Sequence, residues 1–259
     1  PEGPKNSKGR AMQNLINIEQ DDRVKAFICT QDLKDEEYVN SNYVIMATKM
    51  GQVKKTSLEQ YSRPRSNGIN AITIKDGDEL LEAKLTNGNS QIMLAVKSGK
   101  AIRFEESKTR PMGRNASGVR GIRLKDNKDE VVGMISVNDM DANILVVSEN
   151  GFGKRSSLED YRLTNRGGKG VKTISITEKT GKLVTLKSVS DNDDLMIINK
   201  SGIAIRMQVE DLRVMGRATQ GVKVISLKDG DSIAAVAKVM KDDDDLEDVN
   251  DIEFTGDTV

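Results

Sequence analysis

The chain of 259 residues has no histidine, no tryptophan, one cysteine, four tyrosines and four phenylalanines. Without histidine there is no imidazole base and no ordinary zinc site, so neither a catalytic nor a metal centre is expected. The lone Cys29 cannot form an internal disulfide, which suits a reducing cytoplasm, and it reads as a small buried hydrophobe. Aromatic content of 3% leaves few ring faces for stacking unpaired bases, which argues against single-strand nucleic-acid binding. No apolar run approaches the roughly 20 residues that span a bilayer, so no membrane partner is expected. The core must come from Val, Ile, Leu, Met and Ala, with the eleven methionines filling gaps. No secretion signal opens the chain, and a start at Pro1-Glu2-Gly3-Pro4 reads as the edge of an excised fragment.

Net charge is zero, but its distribution is uneven. Residues 241–259 hold Lys241 against nine acidic side chains, so residues 1–240 carry 39 basic against 31 acidic groups, a net +8. The acidic tail lacks apolar surface to bury and is expected to be disordered, a solubility tag or an internal competitor covering a basic surface.

What the chain does have is a repeat. Gly9, Gly68, Gly118, Gly170 and Gly221 are spaced by 59, 50, 52 and 51 residues, each in a short basic turn. Gly51, Gly99, Gly151 and Gly202 keep the same beat at 48, 52 and 51, each followed by cations: Lys54 and Lys55, Arg103, Lys154 and Arg155, Arg206. Two landmarks with one period define an array. Within it lie short alternating runs, 69–74, 80–85, 92–96 and 101–104, and again 171–176, 182–189, 195–199 and 203–207, separated by turn residues. These predict four antiparallel strands per repeat and an all-β, propeller-like fold. The best helix candidates are single turns at 57–61 and 157–161. Five units are visible, about 1–61, 62–109, 110–161, 162–212 and a partial 213–240, the first lengthened by the polar insertion Asp32 to Glu37. Sequence preceding Pro1 is expected to supply the missing half if a ring closes.

Between units lie basic connectors: Arg63 and Arg65, Arg110 and Arg114, Arg162 and Arg166, Arg213 and Arg217, with Lys8 and Arg10 in the first. The fourth carries the glycine-rich turn Asn165-Arg166-Gly167-Gly168-Lys169-Gly170, where absent Cβ atoms let N–H groups approach an anion. Cations recurring in every repeat, those of the connectors together with Lys54, Lys55, Arg103, Lys154, Arg155 and Arg206, are expected to form a DNA-binding band, suited to duplex DNA held through its phosphates without base reading. Nucleotide loops are excluded because this turn precedes a strand rather than a helix, the acidic tail lacks EF-hand spacing, and no nucleophile has a positioned base. No cofactor is expected.

Met112-Gly113-Arg114-Asn115-Ala116-Ser117-Gly118-Val119-Arg120-Gly121-Ile122, Met215-Gly216-Arg217-Ala218-Thr219-Gln220-Gly221-Val222 and Glu149-Asn150-Gly151-Phe152-Gly153-Lys154-Arg155 resemble the C-terminal domain of DNA gyrase A, across residues 1–240. The resemblance implies a six-bladed β-pinwheel whose blades exchange strands, with duplex DNA wrapped on its basic rim. It also implies partners, the rest of gyrase A together with gyrase B in an A2B2 assembly, negative supercoiling driven by ATP, and a bacterial, cytoplasmic, nucleoid-associated setting. Residues 164–170 are similar to that family's seven-residue box, with Thr164 in place of Gln and Asn165 in place of the first cation. The family places its box in the first blade, so the true box is expected upstream of Pro1. None of Tyr38, Tyr43, Tyr61 or Tyr161 has the context of a cleavage tyrosine, so this chain is expected to bind, not cleave. The topoisomerase IV counterpart and a propeller that scaffolds proteins stay as alternatives.

Overall fold

A computed structural model describes residues 22–240. Lys8, Arg10 and the acidic tail lie outside the described residues. Four blades follow one another. Each begins with a hairpin: β1 (Tyr43–Thr48) with β2 (Gln52–Ser57), β4 (Gln91–Val96) with β5 (Lys100–Glu105), β8 (Asn143–Ser148) with β9 (Phe152–Ser157), and β12 (Asp193–Asn199) with β13 (Ala204–Gln208). After a connector, a third strand returns to the free side of the first: β3 (Leu80–Thr86), β7 (Val131–Val137), β11 (Leu183–Val189) and β15 (Ile233–Met240).

The fourth strand comes from the following blade. Strands β6 (Val119–Arg120), β10 (Val171–Lys172) and β14 (Val222–Lys223) lie in the connectors of the second, third and fourth blades but pair with β2, β5 and β9. The sheets are thus β3-β1-β2-β6, β7-β4-β5-β10, β11-β8-β9-β14 and the three-stranded β15-β12-β13. The expected four antiparallel strands per blade are present in the first three sheets, but the unit boundaries fall elsewhere, since every expected unit after the first cuts across two or three sheets. The expected strand 171–176 shortens to two residues, and 69–74 forms no ladder among the described residues.

The hairpins form because their first strands are apolar on both faces. In β4, Ile92, Leu94 and Val96 pack towards β1, β2 and Ile122, whereas Met93 and Ala95 pack towards β8, β11 and Ile174. In β8, Ile144 and Val146 face back and Leu145 and Val147 face forward to Leu195 and Ile197. The core therefore lies between blades, and each such side chain contributes about 1.5–3 kcal/mol on burial. Met93 and Met134 fill this core and Met46 a smaller cluster with Val39, Val44 and Leu58, as expected, but Met50 and Met140 are exposed. The turns at 57–61 and 157–161 are 3-10 turns, Leu58–Tyr61 and Leu158–Asp160, with their leucines buried.

Two expectations in the first unit are corrected. Cys29 is exposed, within residues 22–30, which belong to no helix or strand. The polar insertion leads into the helix α1 (Glu36–Ser41), capped by Asp35 Oδ1, which accepts from the N–H of Glu37 at 3.0 Å and Tyr38 at 3.1 Å.

Candidate nucleic-acid interface

The connectors of the second, third and fourth blades are each laid against the blade before their own. The residues after the exposed arginines form parallel bridges to the edge strands, Pro111 with Lys55, Leu163 with Arg103 and Val214 with Arg155. The next N–H groups, of Met112, Thr164 and Met215, donate to the carbonyls of Lys55, Arg103 and Arg155 at 2.8, 2.9 and 2.8 Å. At Gly118, Gly170 and Gly221 (φ between +70 and +87°) a Cβ would lie 2.5–2.6 Å from the carbonyl oxygens of Val53, Ala101 and Gly153. These glycines permit close approach of connector to blade backbone, a structural need that exists without any anion.

Successive connectors also bond to one another. Thr73 Oγ1 donates to Asn115 O at 2.7 Å, Arg123 N to Gly168 O at 2.8 Å, and Ser175 N to Thr219 O at 3.1 Å. Arg166 Nε and a terminal nitrogen donate to Lys108 O (2.9 Å) and Arg120 O (3.1 Å), and Arg217 does the same to Asp160 O (2.9 Å) and Lys172 O (2.8 Å). Arg114 reaches Asn70 O at 3.5 Å. The four connectors therefore form one continuous strip, with Arg114, Arg166 and Arg217 half-buried as its cross-links.

Arg63, Arg65, Arg110, Arg162, Lys169 and Arg213 are exposed on this strip, and none is ion-paired among the described residues. Arg63, Arg65, Arg114, Asn70 and Asn115 line one cleft of about 630 Å³ between the first two connectors. In the box-like turn, Asn165, Gly168 and Lys169 are exposed, Gly167 N donates to Gly121 O at 2.6 Å, and Gly168 lies over Ile102.

The cations after the second glycine landmark are not on this surface. Lys54, Lys55, Arg103, Lys154 and Arg155 are buried, at 0, 4, 7, 0 and 7% exposure. They fasten the connectors and the blades. Lys54 Nζ donates to Ala71 O and Arg114 O, and Lys154 Nζ to Gly216 O (2.6 Å) and Thr219 Oγ1 (3.2 Å), beneath the turns that hold Arg114 and Arg217. Arg103 binds the carbonyls of Leu158 (2.9 Å) and Tyr161 (3.1 Å) in the next blade's 3-10 turn, and Arg155 binds Leu212 O and Asp191. Lys55 sits 3.6 Å from the buried Glu106 carboxylate, which also accepts from Thr86 Oγ1 at 2.7 Å. Arg206 is exposed but donates to Asp194 at 2.7 Å.

Burial, followed by the nearby Arg114 charge, lowers the Lys54 ammonium to about 8. Burial likewise lowers Lys154 to about 8, with Asp160 opposing and Arg217 and Lys172 adding to the shift. Burial alone lowers Arg103.

Sequence reasoning missed exposed Arg120, Lys172 and Lys223, the second residues of β6, β10 and β14. Their signal was available: a cation two residues after each of Gly118, Gly170 and Gly221.

The family model for the DNA gyrase C-terminal domain, a beta-propeller, matches residues 42–87, 91–138, 142–190 and 193–240. The chain belongs to this family. Each matched segment starts at or just before a blade's first strand and ends at or just after its third, so the gyrase C-terminal domain repeat coincides with a blade and carries its exchanged strand within the connector. DNA gyrase A of Staphylococcus epidermidis (strain ATCC 12228) is 43% identical over 245 residues, 94% of this chain and 27% of that protein. The same protein of Staphylococcus aureus (strain MRSA252) is 43% identical over 247 residues, 95% and 27%. The chain thus spans about a quarter of the length of these relatives. Among solved structures, a DNA gyrase A C-terminal domain superposes with TM-score 0.78 at 25% identity, covering 90% of this chain and 76% of that one. The C-terminal domain of DNA topoisomerase IV superposes with TM-score 0.82 at 24% identity, covering 90% and 71%. The fold is accordingly the β-pinwheel of these domains, and the resemblance seen in the sequence is borne out.

Proposed function

We propose that this chain is the non-catalytic, duplex-DNA-binding domain of a bacterial gyrase A, acting in the cytoplasm with the rest of that protein and with gyrase B. It holds DNA through phosphates and bends it along the connector strip, so that the ATP-driven assembly passes strands in the direction that makes negative supercoils. The observation that carries this reading is the strip itself: connectors hydrogen-bonded one to the next, with Arg63, Arg65, Arg110, Arg162, Lys169 and Arg213 exposed and without an ion-pair partner among the described residues. Neutralising phosphates releases counterions, so affinity depends on salt with a slope of about −0.9 per phosphate contacted. A salt titration of the 259-residue chain on two unrelated duplexes tests it. The expected result is a steep slope shared by both sequences; a flat one sinks the reading and favours a protein-binding propeller.

A further inference from the structure

The strip carries a second recurring feature that phosphate binding does not use. The residue after each connector's leading arginine is apolar and exposed: Pro64 after Arg63, Pro111 after Arg110, Leu163 after Arg162 and Val214 after Arg213. Leu163 is 44% and Val214 54% exposed. Single exposed hydrophobics are ordinary. An apolar side chain at the same place in four successive connectors, each beside an exposed cation, is not a scattered one. Parallel bridges pin Pro111, Leu163 and Val214 to Lys55, Arg103 and Arg155, so the backbone is held at the surface and these side chains have no route into the core. Of the other exposed hydrophobics, Val24, Phe27, Met50, Met140 and Ile203 lie off the strip, and Val222, the least exposed at 37%, lies in β14 within the fourth connector.

Resting on the DNA-binding reading above, we propose that Pro64, Pro111, Leu163 and Val214 are DNA-contacting residues that set the bend. Each presses its apolar face into the minor groove between phosphates held by neighbouring cations and loosens the stacking of one base step. Charge complementarity names the occupant: the row is flanked along its length by exposed arginines, which favour a polyanion over an apolar protein face. Phosphate contacts hold whatever duplex lies on the strip and leave its bend spread over many steps, whereas an apolar wedge is satisfied only where one step opens, which localises and deepens the bend. The arginines then supply affinity and the apolar row supplies curvature, at sites that carry no base-edge donors or acceptors and so read no sequence.

The test separates the two quantities. End-to-end energy transfer on a duplex of about 150 bp, one persistence length, reports bending, and the salt slope reports phosphate contacts. Both are measured on the 259-residue chain and on a variant with Pro64, Pro111, Leu163 and Val214 all changed to Ser. A second variant, Leu163→Phe with Val214→Phe, guards against a folding failure at the prolines. The serine variant is expected to keep the salt slope within about one unit while losing most of the bend, and the phenylalanine variant to bend at least as strongly as the parent. Parental bending in the serine variant overturns the inference, as it would if the row instead seats a protein. Reduced bending in the phenylalanine variant also overturns it. If the unaltered chain neither binds nor bends duplex DNA, the function proposed above falls as well.

Discussion

The cations of the hairpins and the cations of the connectors are the same two residue types, recur with the same period, and do opposite things. Lys54, Lys55, Arg103, Lys154 and Arg155 are spent on protein carbonyls and carboxylates. Arg63, Arg65, Arg110, Arg162, Lys169 and Arg213 stand in solvent. What separates them is the backbone that carries them. The first group sits on edge strands across which the next connector is laid, so its ammonium and guanidinium groups are covered and must find partners. The second sits where the connector leaves the blade or turns back, with no described residue laid over it. Periodicity reports that a position recurs; the strand exchange decides which face it recurs on.

The widest gap between the two groups should appear in DNA affinity. Changing all six exposed cations to Ala is expected to reduce the salt slope by about five, at 0.9 per lost phosphate contact, and to leave the melting temperature nearly unchanged; a preserved slope would break the comparison. Next in size is the stability of the buried group. Arg103→Ala removes a guanidinium that satisfies two carbonyls of the neighbouring blade and is expected to cost about 3 kcal/mol in urea unfolding, against less than about 0.5 kcal/mol for Arg162→Ala. The turns offer a parallel pair. Gly170→Ala, at φ +70° with Ala101 O 2.5 Å from the new Cβ, is expected to destabilise by about 2 kcal/mol or more, whereas Gly216→Ala, with nothing within 4 Å, changes unfolding by less than about 0.5 kcal/mol.

The smallest effect is one of pH. Lys54 and Lys154 release their protons near 8 in the folded chain, against about 10.5 when unfolded. Between these values the unfolded chain binds more protons, so these two groups make stability rise with pH. Lys54→Met with Lys154→Met is expected to flatten that part of the stability profile between pH 8 and 10. An unaltered profile would mean the two ammonium groups are not buried as described.

Two of the four hairpins and two of the third strands were legible in the sequence because they depend on local pattern. Runs 80–85, 92–96, 101–104, 182–189, 195–199 and 203–207 match β3, β4, β5, β11, β12 and β13 within two residues at either end. The exchanged strands were not, because their partners lie in another blade: Val171 pairs with Ala101, seventy residues earlier, and nothing within 171–176 says that the ladder stops after two residues. Helix α1 was hidden in a polar insertion, although Asp35-Glu36-Glu37 is a cap with acids in the first turn. The buried cations were misplaced for the same reason as the exchanged strands. Arg103 lies between buried Ile102 and Phe104, a strand context that Arg63, beside Pro64, does not share; only the connector laid over it turns that context into burial.

Borrowing a closing strand from the next blade gives the array a direction. A cut between Lys108 and Val119 would leave the hairpin of β1 and β2 untouched yet unlatch its outer edge, because β6 would be severed from the turn that delivers it. Damage to one blade is thus inherited by its predecessor rather than its successor. Fraying, proteolysis and mechanical unravelling should all travel towards the amino terminus, as a zip opens from one end.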